Sequence, residues 1–479
     1  MKSAVRKVMV LTFILVLFGS PALMAESIED EDISRAVETE LVLDEAVPAH
    51  LIDVETIRGV VTLSGSVSNV LARRRAEEVA GSIKGVRSIV NDIDVKPIAR
   101  SDEAVARDVE AALLEDPAAD SYEVDVSVNS GLVRLSGTVQ SWQENQLAEK
   151  VALGVKGVTE VDNDLIIEYE TKRSDYEIKK DVESRLKWDK WIEHALIDVK
   201  VNNGEVSLSG TVGTPQQRRR ARSDAWVTGV DKVEDSLKVR TWARSSLERT
   251  SPVGLRSDAE IAKAVKDAFV YDPRVVSFNI DVEVDYGVVT LSGIVEDLAA
   301  KRAAKETAQN TVGALRVKNH LKVRPPEVPS NDVLEQRVSN SLSRNPYVEI
   351  YEVDVDAANG LIYLSGDVTT SFEKEEAARV AEKVKGVVAV QNNIDYNRQW
   401  EWKTDWNIAE DVRDQMWWSP YVEEEQVSVT VENGIVTLRG KVDSWSEFHY
   451  AEDNAYEGGA KDVINKLRVK GGYGASRSG

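Results

Sequence analysis

The sequence predicts an α+β protein built from six tandem small αββαβ domains, each a three-stranded mixed sheet packed against two helices. Three observations predict it. First, a seven-residue stretch recurs: GVVTLSG at 59–65, GLVRLSG at 131–137, GEVSLSG at 204–210, GVVTLSG at 287–293, GLIYLSG at 360–366 and GIVTLRG at 434–440. The six copies stand 72 to 83 residues apart, which marks a repeat protein. Second, helical and alternating apolar spacings follow one another in a fixed order around each copy. Third, one closing signature returns in the same register: GVRSIVNDI from Gly85, GVTEVDNDL from Gly157, GVDKVEDSL from Gly229, GALRVKNHL from Gly313, GVVAVQNNI from Gly386 and GAKDVINKL from Gly459.

Repeat 2 justifies each element in turn. Ser101 stands as an N-cap before DEAVARDVEAALLEDP, where Val105, Val109, Ala112 and Leu113 fall at helical spacing and Pro117 follows the end. YEVDVSVN then alternates, with Val124, Val126 and Val128 on one face. A turn at 129–131 places Gly131 where a positive φ is needed. In the return strand Val133, Leu135 and Val139 keep the period of two, with Gly137 on their face, so the pair is a hairpin with one buried side. SWQENQLAEKVALGV is a second amphipathic helix carrying Leu147, Val151 and Val155, and Gly157 is expected to end it. VTEVDNDLII is the third strand. A helix between the second and third strands implies a right-handed parallel crossover, with both helices on one sheet face. The recurring glycines Gly65, Gly137, Gly210, Gly293, Gly366 and Gly440 are read as structural. The missing side chain of Gly65 is expected to let a helix approach.

Residues 1–25 read as a secretory signal peptide: Lys2, Arg6 and Lys7, then an apolar run from Val8 to Phe18, then SPALMA with Ala25 at the cut. The run is short for a membrane span. The expected location is therefore the periplasm. The chain has no cysteine, so each unit must hold together through packing or through its neighbours. The formal net charge is −22, and loss of the three N-terminal cations deepens it. Such a chain is a poor partner for nucleic acid, whose binding rests on phosphate neutralisation. It is also repelled by anionic lipid on average, so membrane contact must come from local patches or aromatic residues.

The order of elements, the central LSG glycine and the later KGV glycine resemble the BON domain family, six times over and across nearly the whole chain after residue 25. Repeat 6 departs in carrying Arg439 where the others have serine. The resemblance implies an envelope protein with a role in phospholipid association and stress protection, and it brings no catalytic residues. The unit boundaries read as 28–96, 101–169, 174–240, 257–324, 330–397 and 404–470, with a linker at 241–256. RPPEVPS, from Arg324 to Ser330, is a stiffer joint. ISRAV and IAKAV pair repeats 1 and 4, while YEIKKDVESRLKW and WNIAEDVRDQMWW pair repeats 3 and 6. A duplicated three-unit block, giving two three-domain arms joined at 243–257, fits this.

No constellation of catalytic residues stands out. His50, His194, His320 and His449 are scattered over different repeats without metal spacing. The serines Ser64, Ser136, Ser209, Ser292 and Ser365 precede a glycine inside a strand and have no recurring base. DVEVDYG at 281–287 and DVDAANG at 354–360 resemble calcium loops but lack the ligand spacing, and read as exposed strand residues. No metal, no cofactor and no enzymatic activity are expected.

The binding candidates are cationic and aromatic. Arg73, Arg74 and Arg75, and Arg218, Arg219 and Arg220, lie early in second helices. They are either a solvated face or a phosphate or lipid-headgroup site aided by a helix N-terminus. The chain has eleven tryptophans against six phenylalanines. Trp188 and Trp418 end first helices, with Trp191 and Trp417 beside them; Trp142 and Trp445 start second helices. Both registers lie at one end of a unit. In repeat 6, Trp417, Trp418, Tyr421 and Trp445 form either a packed helix end or an interfacial rim that touches lipid or a partner. WEWKTDW, 400–406, reads as an interdomain joint. The leading expectation is a non-enzymatic exported protein on phospholipid membrane surfaces, protecting the envelope under osmotic stress. A scaffold or holdase for envelope proteins, or a binder of cell-wall polysaccharide, are the alternatives. The sequence does not set the oligomeric state.

Overall fold

A computed structural model describes residues 28–119, 124–192, 194–240, 256–396, 403–442 and 445–469, apart from the side chains of 195, 277, 445 and 446. The expected signal peptide lies outside these residues, as do nearly all of the linker and the first residues of WEWKTDW.

In unit 1 a helix (Asp30–Leu43) leads through a short 3-10 turn into a hairpin (Ile52–Ile57 and Val60–Val67), a second helix (Val70–Gly81) and a third strand (Ser88–Val95). The other first helices are Asp102–Glu115, Asp175–Trp188, Asp258–Phe269, Asn331–Arg344 and Asp405–Trp418. The corresponding second helices are Trp142–Leu153, Pro215–Asp224, Leu298–Gln309, Ser371–Glu382 and Trp445–Glu457. In every unit the return strand is central, antiparallel to its hairpin partner and parallel to the third strand. In units 2 and 4 the third strand is broken in two, at 164–165 and 320–321. Six α+β units with mixed sheets are the predicted architecture.

The local reasons follow the sequence pattern. Alternation puts Val61, Leu63 and Val67 into the unit 1 core, against Val37 and Leu41 of the first helix and Ala76 and Ala80 of the second. Small alanines on the second helix let it lie close to the sheet. Ser101 caps its helix by accepting from the Ala104 amide, as expected. The two-residue turn places Arg58 at φ 52° and Gly59 at φ 72°, the left-handed pair that suits a tight hairpin.

Two local expectations are corrected. The second helix of unit 2 ends at Leu153, four residues before Gly157, and tight turns such as Val155 N–H to Ala152 C=O cover the gap. Gly157 has φ 100° and lies against Val105 of the first helix. Gly65 does not make room for a helix. A Cβ there would stand 2.1 Å from the carbonyl oxygen of Leu51, in the turn that feeds the hairpin, and its φ is 121°. Gly210, Gly293, Gly366 and Gly440 meet the equivalent carbonyls of Leu196, Asn279, Glu352 and Gln426.

The two three-unit blocks are folded onto each other rather than held as separate arms. Unit 1 contacts unit 6 through Lys84 N–H to Trp418 C=O at 2.8 Å, and unit 2 contacts unit 5 through Lys156 N–H to Arg344 C=O at 2.6 Å. Unit 3 contacts unit 4 through Val312 N–H to Trp188 C=O at 2.9 Å. Within the first block, ion pairs join Arg74 to Glu149 and Arg219 to Glu77. The chain thus closes into one particle.

Candidate lipid- and partner-binding site

The helix ends that carry the tryptophans are where units meet. The first helices of units 3, 5 and 6 run into extended C-caps at Asp189, Asn345 and Ser419, and the last carbonyls of a helix have no partner within it. Trp418 packs against the unit 1 core and lies edge-on to Trp417 at 4.5 Å. Trp417 is 36% exposed, with the Lys84 ammonium 4.9 Å from its ring centre. Trp188 packs on the unit 4 core under the Arg256 guanidinium. Trp191 donates its indole N–H to Asn310 Oδ1 of unit 4 at 3.0 Å and leans on Tyr450 of unit 6 at 4.2 Å. Tyr421 is buried, stacked on Tyr450 at 3.6 Å, and shares a 2.7 Å hydrogen bond with the Thr214 hydroxyl of unit 3. Trp142 stacks in parallel on Trp226 of unit 3 at 5.7 Å. The backbone of Trp445 opens its helix; its side chain lies outside the described residues.

Of the two readings of the unit 6 helix end, Trp418 and Tyr421 follow the packed one, taken up by seams with units 1 and 3, while Trp417 keeps part of its ring exposed. The physical reason is that a ring at a helix end loses more water contact against a neighbouring core than on a solvated rim. Trp142 and Trp188 keep one open side. They line a cleft of about 770 Å³ between units 2, 3 and 4, together with Arg185, Asp224 and Tyr271.

The arginine runs are largely committed to carboxylates of this chain. Arg75 pairs with Asp44 at 2.6 Å, Arg74 with Glu149 at 2.6 Å, Arg218 with Asp235 at 2.7 Å and Arg219 with Glu77 at 2.7 Å. Arg220 pairs with Asp189, and Arg73 is half-buried beside Asn91, which donates to its carbonyl. Arg74 and Arg219 hold units together; the others brace a single unit.

The seam of units 3, 4 and 6 is electrostatically tuned. Burial pushes the Lys190 ammonium down to about 8. Burial, and then Lys190, push His449 down to about 3. Burial pushes the Asp453 carboxyl up to about 6, against the pull of Lys190. Burial also raises Asp224, with the Asp189 carboxylate adding to the effect, while Arg185 and Arg220 oppose it. Among the described residues no group of three or more His, Cys, Asp or Glu is placed to hold a metal ion. No helix among them is long and apolar enough to cross a membrane.

Sequence reasoning missed several recurring contacts. The first residue of the first helix clamps the hairpin turn: Asp30 accepts from the amides of Arg58 and Gly59, at 2.6 and 2.9 Å. Asp102, Asp175, Asp258 and Asp405 do the same. Asn331, with one acceptor oxygen, takes the Asn359 amide. On the third strand Asn91 donates to a second-helix carbonyl, as do Asn163, Asn319, Asn392 and Asn465. Both residue types recur at the repeat period, which is the signal that reveals them. The serines of the LSG motif do have a recurring neighbour: Asp53, Asp125, Asp198, Asp281 and Asp354 face Ser64, Ser136, Ser209, Ser292 and Ser365 across the hairpin. In unit 6 Ser428 faces Arg439. These are polar pairs on the outer sheet face.

The chain is 34% identical over 144 residues to osmotically-inducible protein Y of Escherichia coli (strain K12), covering 29% of this chain and 72% of that one. Among solved structures it is similar to CdsD, a structural protein of the type III secretion system of Chlamydia trachomatis, at 18% identity. That match covers 44% of this chain and 92% of that one, with a TM-score of 0.13. The CdsD C-terminal domain matches at the same identity and TM-score, with all of that chain covered. The BON domain model matches residues 29–97, 101–169, 174–241, 257–325, 330–398 and 404–471, and the chain belongs to the BON domain family.

Proposed function

We propose that this protein is an exported, non-catalytic particle of BON domains that attaches peripherally to phospholipid surfaces and protects the envelope under osmotic stress. Residues 1–25 support export, and the name of the Escherichia coli relative supports the link to osmotic stress. One observation carries the membrane reading. Phe278 is 96% exposed and Tyr351 is 80% exposed, and both stand in the 3-10 turn that feeds the hairpin, in units 4 and 5. Tyr122 holds that register in unit 2 and lies outside the described residues. A ring held out on a turn, beside Val276 at 56% exposure, suits the boundary between headgroups and acyl chains.

The magnitudes set the expected behaviour. Full burial of one such side chain is worth about 1.5–3 kcal/mol, so two rings give roughly 3–6 kcal/mol, a weak and reversible attachment. The net charge of −22 opposes approach to anionic lipid. Binding should therefore be stronger on zwitterionic than on anionic vesicles, and salt should strengthen it on the anionic ones. Co-sedimentation of the full chain with vesicles of each composition tests this, with Phe278→Ser/Tyr351→Ser as the comparison. Loss of at least about a hundredfold in affinity in the double variant is expected. No sedimentation of the unsubstituted chain with either vesicle, at low or high salt, refutes the reading.

A second reading, a scaffold for envelope proteins, is favoured by the hairpins. The first strand of each hairpin is an edge of its three-stranded sheet among the described residues, and such edges can accept an added strand. Recovery of no envelope protein on the immobilised full chain removes it.

A further inference from the structure

The two blocks, 28–240 and 256–469, meet at three seats of one kind. In each seat the amide just before the third-strand glycine donates to the carbonyl of the last residue of a first helix. The pairs are Lys84 to Trp418, Lys156 to Arg344 and Val312 to Trp188. They join unit 1 to 6, unit 2 to 5 and unit 3 to 4. That reversed order is the one in which two copies of a three-unit block face each other across a two-fold axis.

Side chains reinforce each seat. In the first, Lys84 Nζ also donates to Trp417 C=O at 3.1 Å, and Gln415 donates to Glu40 at 2.5 Å. In the second, Arg344 pairs with Glu115, Ser341 donates to Glu115 at 2.9 Å and Lys385 Nζ donates to Leu114 C=O at 3.0 Å. In the third, Lys190 N–H donates to Asn310 C=O at 3.0 Å and the Tyr271 hydroxyl donates to Asp181 at 3.2 Å. The common element is a backbone hydrogen bond at a helix end, which satisfies a carbonyl the helix leaves open. Recognition thus rests on the shared fold of the units, while Trp, Arg or Trp at the helix end fits each seat to its partner.

We infer that the face between the blocks is a docking surface in its own right, and that its partner is a three-unit BON block, supplied here by the other half of the same chain. All three seats are made by described residues on either side of 241–255, so the covalent connection is not what holds the halves together. This stands apart from the membrane reading and does not depend on it.

The test uses the full chain. A protease site is placed within 241–255, the folded protein is cleaved, and the product is run on size exclusion with light scattering at micromolar concentration. Both fragments should elute together with the mass of the intact chain. Glu115→Arg should raise the dissociation constant of the cleaved halves at least tenfold. Adding Arg344→Glu should restore it, which a merely misfolded variant does not do. Separate elution of the unsubstituted fragments overturns the inference. So does tight association of the cleaved Glu115→Arg protein, or failure of the charge-swapped pair to recover.

Discussion

Replacement of Gly65 by alanine puts one methyl group at the tightest point of unit 1. Two costs follow from the geometry. The φ of 121° is one that side chains of L residues rarely adopt, at about 1–3 kcal/mol. The new Cβ would also stand 2.1 Å from the Leu51 carbonyl oxygen. Moving that backbone strains the pairing of Ile52 with Gly65, at about 1 kcal/mol per hydrogen bond lost. The sum is about 2–4 kcal/mol, against roughly 3–10 kcal/mol for a unit of this size. Because six units share one chain, a whole-protein melt blurs the effect. Hydrogen exchange on peptides spanning 52–67 reads unit 1 alone. Gly81→Ala is the control: its Cβ would meet only side-chain ends, Ile89 at 3.1 Å and Arg219 and Gln216 of unit 3 at 3.5 and 3.8 Å, without a positive φ, and its effect should stay within about 1 kcal/mol. Unchanged exchange over 52–67 in Gly65→Ala refutes the reasoning. A valine there should be worse, since a β-branched side chain tolerates the strained φ least.

The helix-to-turn clamp and the tuned seam give two more expectations. Asp30→Ala should free the Arg58 and Gly59 amides, costing about 1–2 kcal/mol and speeding their exchange, with Asp30→Asn in between; equal exchange in all three proteins counts against the clamp. His449 is neutral in the folded chain, with its pKa pushed down to about 3, so the native state binds fewer protons than the unfolded state between there and about 6.5. Its contribution is complete above that range and is lost as pH falls, at most about 3 kcal/mol by pH 4. Asp453, pushed up to about 6, works in the opposite sense, because its protonated form is the favoured one in the fold. His449→Gln should therefore lose less stability than the parent between pH 7 and pH 4 in thermal melts; an identical loss excludes His449 as the group responsible.

What the sequence revealed was the part decided by near neighbours. Val124, Val126 and Val128 betray a strand because the period of two needs only adjacent residues, and the glycine turn needs only its own φ. Gly65 was visible as special, but its reason was not, since the Leu51 carbonyl reaches it only once the hairpin is paired. The destination of Trp188, Trp418 and Tyr421 was hidden for a stronger reason. Their partners are Val312, Lys84 and Thr214, more than a hundred residues away, and no local pattern separates a ring awaiting a neighbouring core from one awaiting a membrane. Phe278 escaped notice because the aromatics at its register, Tyr122 and Tyr351, are of another residue type and stand between the helix and the strand, where neither apolar period reaches.

The central claim is that six BON units close on themselves through the ends of their first helices, at Trp188, Arg344 and Trp418. Small-angle X-ray scattering of the full chain in solution measures this directly. A closed particle of this length should have a radius of gyration of about 23–26 Å. Six units strung end to end, each roughly 28 Å across, would exceed about 35 Å. A value in the first range, with a single compact distance distribution, is the predicted result; a value in the second contradicts the account.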